Sequence, residues 1–288
     1  MESLAKCAKT WDQVEIDSAF CLVKQEIERN GGAQDLGYFG HEARYRRTIG
    51  KILELVSPGA TILDVGSHFL HQAAVLSYLG YRVLGMDVPE FADLQQIKNR
   101  ALKFNIHNCV VDRFDRGDFL AGYEDQIDLV VFTEIQEHIT FNPIQFWHRI
   151  WQLLKIGGKI YLTTPNSLTV WKIASACKKM LLLKGIGIGI EDILRAVTYG
   201  HHWKEYSAYE LRLLFEMLSP DWSIEITPYD LTPLGSGSKW EDLKGLKPRV
   251  REIVRRTSSL MPRFKEQLEA VITLRQRSVW QTKSPDYF

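Results

Sequence analysis

The hydrophobic pattern of this chain changes period twice. Residues 11–29 place Val14, Phe20, Val23 and Ile27 near one face of a helix, and Asn30-Gly31-Gly32 stops it. Residues 41–56 predict a second helix, ended by Ser57-Pro58-Gly59. From there short apolar runs alternate with helical segments. Strands are predicted at Thr61–Val65, Tyr81–Met86, Asn108–Asp112, Ile127–Phe132 and Lys159–Thr163. The intervening helices are predicted at Gln72–Leu79, over residues 92–104, and from Pro143 to Leu154, closed by Gly157-Gly158. The alternation breaks over 167–200, which reads as a helical insertion. A helix at Ala208–Leu218, a strand near Trp222–Ile226, a basic helix around 248–260 and a last strand at Ala270–Leu274 follow.

Strands separated by helices of this length imply βαβ units, and runs such as Leu129-Val130-Val131-Phe132 imply strands buried on both faces. The expected fold is therefore α/β: a Rossmann-like, doubly wound, mostly parallel seven-stranded sheet with helices on both faces and a helical lid insertion. In such sheets ligands bind beyond the carboxyl ends of the strands, where the strand order reverses. That directs attention to Asp64–His68, Asp87, Asp112–Asp118, Thr133–His138 and Thr164–Ser167.

Composition narrows the partners. The 288 residues are 45% hydrophobic and 25% charged with a net charge of +1, which argues against a dominating nucleic-acid or membrane field. Residues 239–288 nevertheless hold twelve Lys/Arg against six Asp/Glu, so phosphate or anionic lipid is a candidate contact there, beside the simpler reading of a solvated helix face. A nucleic-acid partner is not expected. Cys7, Cys21, Cys109 and Cys177 are scattered and fit a reducing cytoplasm better than a disulfide or zinc framework. The early acid in Met-Glu-Ser-Leu-Ala-Lys argues against a secretory signal, and the apolar stretch Met180–Ile190 is too short to span a bilayer. Peripheral lipid contact stays open.

The first predicted strand ends Asp64-Val65-Gly66 and the second ends at Asp87. A dinucleotide site would require Gly-x-Gly-x-x-Gly after the first strand, because a pyrophosphate must approach bare backbone at a helix N-terminus. This chain instead continues Ser67-His68-Phe69-Leu70-His71, and Asp64 would repel phosphate. A cofactor carrying an ammonium and a sulfonium tolerates that acid, which points to S-adenosylmethionine.

Several further pieces follow in order: Ile127-Asp128-Leu129-Val130-Val131-Phe132-Thr133-Glu134, then Glu137-His138, Leu154-Lys155-Ile156-Gly157-Gly158-Lys159, Thr163-Thr164-Pro165-Asn166 and Gly200–Tyr206. With the Asp64–Gly66 turn they resemble the class I S-adenosylmethionine-dependent methyltransferases, in particular the ubiquinone-pathway O-methyltransferases, from about Tyr45 to Leu274. The resemblance implies cofactor contacts from Asp64, Gly66, Ser67, Asp87, Val88 and Thr133, with Asp87 on the ribose. Asp112, Asp115 and Asp118 compete for the adenine amino group, and Asp115 is preferred. His68 and Leu70 stand where that family carries further glycines. They imply either a narrowed pocket or another path of the turn, and they motivate the alternative of an inactive, methyltransferase-fold binding subunit.

At the reactive end, Glu134, Glu137 and His138 follow the fourth strand, and a helix there would set Glu134 and His138 four residues apart on one face. With His202 they are similar to the metal ligands of the ubiquinone-pathway O-methyltransferases and the small-RNA 2′-O-methyltransferases. His201 is the alternative histidine. A divalent ion held by Glu134, Glu137, His138 and His202, a metal-free histidine base, and a purely structural pair are all open. The chain lacks Asn/Asp-Pro-Pro-Tyr after the fourth strand, which favours oxygen over a nucleobase amine as acceptor. The acceptor is expected to be a small molecule, lipid precursor or glycan. Four segments result: an N-terminal helical segment (1–44), the cofactor-binding core (45–166), the lid insertion (167–200), and a C-terminal completion of the sheet with the basic helix (201–288).

Overall fold

The structure, a computed structural model, describes residues 11–183, 185–195, 200–230 and 261–283. The predicted basic helix around 248–260 and Cys7 lie outside the described residues. The strands form one seven-stranded sheet in the order β3-β2-β1-β4-β5-β7-β6. They are β1 (Thr61–Val65), β2 (Arg82–Asp87), β3 (His107–Val110), β4 (Ile127–Thr133), β5 (Leu154–Pro165), β6 (Trp222–Tyr229) and β7 (Gln267–Leu274). β1 pairs in parallel with β2 and β4, and β2 with β3. The order reverses between β1 and β4, so the carboxyl ends of these strands are where a ligand is expected.

Two compact units share the chain. The first comprises residues 1–131, 145–160 and 274–277; the second comprises 132–144, 161–273 and 278–288.

In the first unit, α1 (Gln13–Asn30) starts at a capping box. Asp12 Oδ1 accepts from Glu15 N at 2.7 Å, and Asp12 N donates to Glu15 Oε2 at 3.3 Å. Ala19, Phe20, Val23 and Ile27 are its buried face. A short helix absent from the sequence reading, α2 (Ala33–Phe39), follows, then α3 (Glu42–Leu55). Gly31 makes the join between α1 and α2: a Cβ there would stand 2.6 Å from the Ile27 carbonyl oxygen and 2.7 Å from Asp35 Oδ2. α4 (His71–Tyr78) follows β1. The predicted helix over 92–104 is two helices, α5 (Pro89–Ala92) and α6 (Gln95–Lys103). α7 (Ile144–Leu153) buries Phe146, Trp147 and Ile150. All five residues of β1 are buried, as burial of the sheet on both faces requires.

In the second unit, the insertion holds α8 (Val170–Leu181) and α9 (Ile190–Arg195). α10 (Ala208–Leu218) begins at a Ser207–Glu210 capping box and buries Leu211, Phe215 and Leu218. Asp221 ties this end together by accepting from Ser278 N at 2.9 Å and Ser278 Oγ at 2.5 Å. Among the described residues, no helix is long and apolar enough to cross a membrane.

Candidate functional site

In the first unit, the turn after β1 keeps a path that favours glycine, although only one of three key residues is glycine. Gly66, His68 and Leu70 have φ of 66°, 47° and 57°. Of the two possibilities left by the sequence, the turn therefore follows the left-handed path with side chains in place. Gly66 N and Ser67 N donate to Met86 O at 2.8 and 3.3 Å, and Leu70 N donates to Ser67 O at 2.7 Å. Leu70 is fully buried, and its room comes from β2: a Cβ on Gly85 would stand 2.5 Å from Leu70 Cδ2. The His68 ring packs against Tyr38, Phe69 and Phe91 at centroid distances of 4.3, 4.2 and 4.0 Å. Burial pushes its pKa down to about 4, so it is a neutral ring at pH 7.

Asp64 and Asp87 lie at adjacent strand ends and both are buried. Asp87 accepts from His68 N through Oδ2 at 2.6 Å and from Val88 N through Oδ1 at 2.7 Å. Val88 thus spends its N–H on Asp87. Each carboxylate oxygen keeps a second lone pair, enough to accept a pair of vicinal hydroxyls. Burial pushes Asp87 up to about 6 despite those two bonds. Asp64 accepts from Gln72 Nε2 at 2.9 Å, and burial raises it to about 7, with Asp87 adding to the rise. Asp64 is registered opposite Gly85 on one side and Val131 on the other.

Asp115, the acid preferred for the adenine amino group, is ion-paired with Arg113. It sits in a 3₁₀ turn (Phe114–Arg116) and is gripped by Arg113 through two bonds of 2.8 and 2.5 Å, which lower its pKa. The exposed Asp112, one residue after Val111 N donates to Asp87 O at 2.9 Å, is the acid nearest the end of β3.

In the second unit, Thr133 is the half-buried last residue of β4, and Glu134 follows with φ 57°. The expected helix from Glu134 does not form. A 3₁₀ turn spans Gln136–His138 instead, so Glu134 and His138 do not share a helix face. Glu134 is held by β5, its N donating to Thr163 O at 2.8 Å and its Oε1 accepting from Thr163 Oγ1 at 3.0 Å.

Two pieces distant in sequence, Thr164 and residues 201–203, converge on this 3₁₀ turn. Glu137 Oε2 accepts from Thr164 Oγ1 at 2.9 Å, and Glu137 O accepts from Trp203 N at 2.8 Å. His138 Nδ1 donates to His201 O at 2.9 Å, because a carbonyl oxygen can only accept. His201 itself is buried and serves through its backbone, so His202 is the histidine that joins the cluster. The His202 ring lies edge-on to His138, centroids 4.9 Å apart, and its Nδ1 faces Glu205 Oε1 at 3.1 Å. Glu205 in turn pairs with Lys172 from the insertion.

Both imidazoles are thereby held through Nδ1; His138 Nε2 lies 4.0 Å from Glu137 Oε1, and the hydrogen bond to Glu205 raises the His202 pKa. Glu137 is 1% exposed, and its Oε1 is buried without a hydrogen-bond partner. Burial, reinforced by nearby Glu134, pushes it up to about 7. One ligand atom from each of Glu137, His138 and His202 falls within 4.8 Å of the others; Glu134 does not belong to that group.

Sequence reasoning missed the residues that hold these side chains: Asp35 and Arg100 in the first unit, Glu205 and Lys172 in the second. The one available signal was Arg100 on the same helix face as Ile97, a charge at a buried position.

Residues 63–162 match a family described as a methyltransferase domain. Over 163 residues the chain is 27% identical to the mitochondrial ubiquinone biosynthesis O-methyltransferase of Dictyostelium discoideum, covering 54% of this chain and 47% of that protein. The chain thus spans about half the length of the curated relative it matches. Among solved structures it is similar to a chain of the complex between the Haloferax volcanii Trm112 methyltransferase activator and a methyltransferase. That match has a TM-score of 0.54 and 17% identity, with 89% of this chain and 99% of that chain covered. A protein from Pyrococcus horikoshii OT3 gives a TM-score of 0.50 at 12% identity, with 81% and 91% covered. The matching domain, the strand order and the acids at the ends of β1 and β2 agree: residues 63–162 carry a methyltransferase domain match, and the fold is similar to that of S-adenosylmethionine-dependent methyltransferases.

Proposed function

We propose that this protein transfers the methyl group of S-adenosylmethionine to an oxygen of a small-molecule acceptor, a lipid precursor or a glycan. The observation that carries the reading is the turn from Gly66 to Leu70. It holds a left-handed path at His68 and Leu70 and turns three backbone N–H groups toward Asp87 and Met86 O. A chain relieved of cofactor binding has no reason to keep that costly path, so the inactive-subunit alternative loses its motive. The chemistry of the site fits the cofactor: buried acids suit its cationic amino-acid end and its ribose hydroxyls, and would repel a pyrophosphate.

Bound S-adenosylmethionine supplies an electrophilic methyl group on a good leaving group, so the protein mainly aligns the acceptor and takes a proton. In this reading Asp87 accepts the ribose hydroxyls, Asp64 faces the amino-acid end, and Asp112 replaces Asp115 as the acid for the adenine amino group. Gly66, Ser67 and Thr133 border the cofactor. His138 Nε2 takes the proton of the acceptor hydroxyl, with His202 and Glu137 beside it. Burial lowers the His138 pKa, keeping the ring neutral and basic at pH 7.

A second reading is favoured by the grouping of Glu137, His138 and His202. A divalent ion on these three would orient acceptor oxygens and supply Lewis acidity, and it would give Glu137 Oε1 the partner it lacks. The relative named for ubiquinone biosynthesis supports oxygen as the acceptor atom. The scattered cysteines support a reducing compartment, the cytoplasm, and the segments divided at 44/45, 166/167 and 200/201 remain our working division.

Calorimetry with S-adenosylmethionine and S-adenosylhomocysteine, followed by methyl transfer to hydroxylated aromatic acceptors, tests the reading. We expect micromolar binding of both ligands, and loss of turnover in Glu137→Gln and His138→Ala with binding retained. Absence of binding by either ligand refutes the methyltransferase reading. Activity insensitive to chelation refutes the metal.

A further inference from the structure

Gln72 stands outside every motif, one residue into α4, yet it is 6% exposed and committed to Asp64. Its amide nitrogen donates to Asp64 Oδ1 at 2.9 Å. Its Oε1 is buried and has no hydrogen-bond partner. Leaving a buried amide oxygen unpaired is unfavourable enough that native structures rarely do so without a reason. On the same side of β1 as Gly85, Asp64's register partner, Ser67 Oγ is also buried without a partner, 3.1 Å from where a Cβ on Gly85 would stand.

The chemistry of this corner is one-sided. An ionised carboxylate only accepts, so it turns the Gln72 NH₂ group toward itself and directs the Gln72 carbonyl oxygen elsewhere. The result is a buried carboxylate, an unpaired amide oxygen and an unpaired hydroxyl, with no cation bonded to Asp64 among the described residues. Three acceptors around one negative charge are complementary to a small cation with several N–H donors. A primary ammonium has three donors and one charge. A sulfonium has no donor, and a hydroxyl has one donor and no charge, so neither satisfies the set. Elevation of the Asp64 pKa to about 7 by burial is what a carboxylate waiting for such a counter-ion shows.

Resting on the methyltransferase reading above, we propose that Gln72 is a cofactor-binding residue: with Asp64 it forms a cradle for the primary ammonium at the amino-acid end of the cofactor. Asp64 supplies the charge and Gln72 Oε1 a second acceptor. Ser67 Oγ is the third.

The proposal separates two ligands that share the nucleoside. S-adenosylhomocysteine carries the ammonium; 5′-methylthioadenosine ends at the thioether. The volume-conserving Gln72→Met, with Gln72→Leu as a second variant, removes the amide without opening a large cavity. For both variants, calorimetry should show S-adenosylhomocysteine binding weakened about tenfold or more, as loss of a hydrogen bond to a charged group implies. 5′-Methylthioadenosine binding should stay within about twofold. The ligand-free melting temperature should hold or rise, since an unpaired buried oxygen is gone. Equal weakening of both ligands would assign Gln72 a merely structural role, and unchanged S-adenosylhomocysteine affinity would leave it no role in binding; either result overturns the proposal while sparing the methyltransferase reading. Failure of the unmodified protein to bind either nucleoside overturns both.

Discussion

Leu70 offers a test in which the sign of a small difference decides. It is fully buried, with φ 57° and ψ 22°. Shortening a buried leucine costs about 3–5 kcal/mol through lost transfer energy and the cavity left behind. At an ordinary buried position glycine would then be worse than alanine by about 0.5–1 kcal/mol, because glycine loses more freedom on folding. At position 70 a second term opposes this. A left-handed residue with a Cβ is strained by about 1–2 kcal/mol, and only glycine escapes that strain. The order expected is therefore Leu70, then Leu70→Gly, then Leu70→Ala, with glycine ahead of alanine by about 0.5–1 kcal/mol. For a chain of this size that corresponds to about 1–3 °C in Tm. The partner residue provides an internal check. Gly85→Ala places a Cβ 2.5 Å from Leu70 Cδ2, an overpacking worth about 1–3 kcal/mol in the parent chain. In a Leu70→Ala background most of that penalty should vanish, giving a coupling of at least about 1 kcal/mol. The assay is thermal and urea unfolding of the five chains at equal concentration, comparing midpoints. If Leu70→Ala proves more stable than Leu70→Gly, or Gly85→Ala is equally harmful in both backgrounds, the reading of a strained turn accommodated by β2 is wrong.

Arg100→Met should lower stability by about 3–5 kcal/mol in thermal unfolding, because it strands Glu26 and Asp35, both at most 1% exposed, without their guanidinium. Adding Glu26→Gln should recover part of that loss by removing one of the stranded charges. Asp64, raised to about 7 from an ordinary 3.8, makes ligand-free stability and ligand affinity respond to pH in opposite senses. Its folded pKa is the higher one, so the folded state holds the extra proton; this contribution to stability is complete below about pH 4 and lost as pH rises toward 7. S-adenosylhomocysteine, whose ammonium needs the ionised acid, should bind up to about tenfold more tightly per pH unit between pH 5.5 and 7. Asp87, raised to about 6, acts in the same direction, and Tyr45, pushed up to about 12, stays neutral throughout. Calorimetry across that range, flattened in Asp64→Asn, checks it. If the two histidines and Glu137 hold a divalent ion, manganese or zinc should raise the Tm of the parent chain and not that of His202→Ala.

Most of the fold was legible because it rests on local periodicity. The runs at Thr61–Val65 and Ile127–Phe132 could be nothing but buried strands, and α10 starts where Ser207 and Glu210 form a capping box. Elements whose stability is tertiary were less legible. α2 has only seven residues, and what fixes it is Asp35 meeting Arg100 and His71. No pattern in residues 33–39 announces a partner 65 positions away. The Glu134–His138 helix failed for the same kind of reason. Glu134 takes φ 57° while β5 claims its N–H and carboxylate, and the chain has turned before a helix can start. Asp115 illustrates a further limit: spacing brings it to the loop after β3, but Arg113, two residues earlier, claims its charge first.

Part of what keeps the glycine-poor turn in its left-handed path lies outside the matched domain. Two strained residues in five need surroundings that over-determine their backbone. Three devices do this within the first unit. Leu70 is keyed into the bare Cα of Gly85. The His68 ring is walled by Phe91 and by Tyr38 of α2. Arg100 Nη1 donates to Phe69 O at 2.6 Å while Asp35 binds Arg100 at 2.8 Å and His71 Nε2 at 2.6 Å, flanking Leu70 with two fixed neighbours. Asp35 and Tyr38 both come from α2, a helix that precedes residue 63, where the methyltransferase match begins. The N-terminal helices therefore act as the clamp on the cofactor turn, standing in for the conformational freedom that glycines would provide. Asp35→Ala tests this directly. It should release His71 and half of the Arg100 grip. S-adenosylhomocysteine affinity should fall along with stability, and the loss should be smaller when His68 and Leu70 are both glycine, because that turn no longer needs holding. Equal loss of affinity in both backgrounds would show that α2 supports the fold alone.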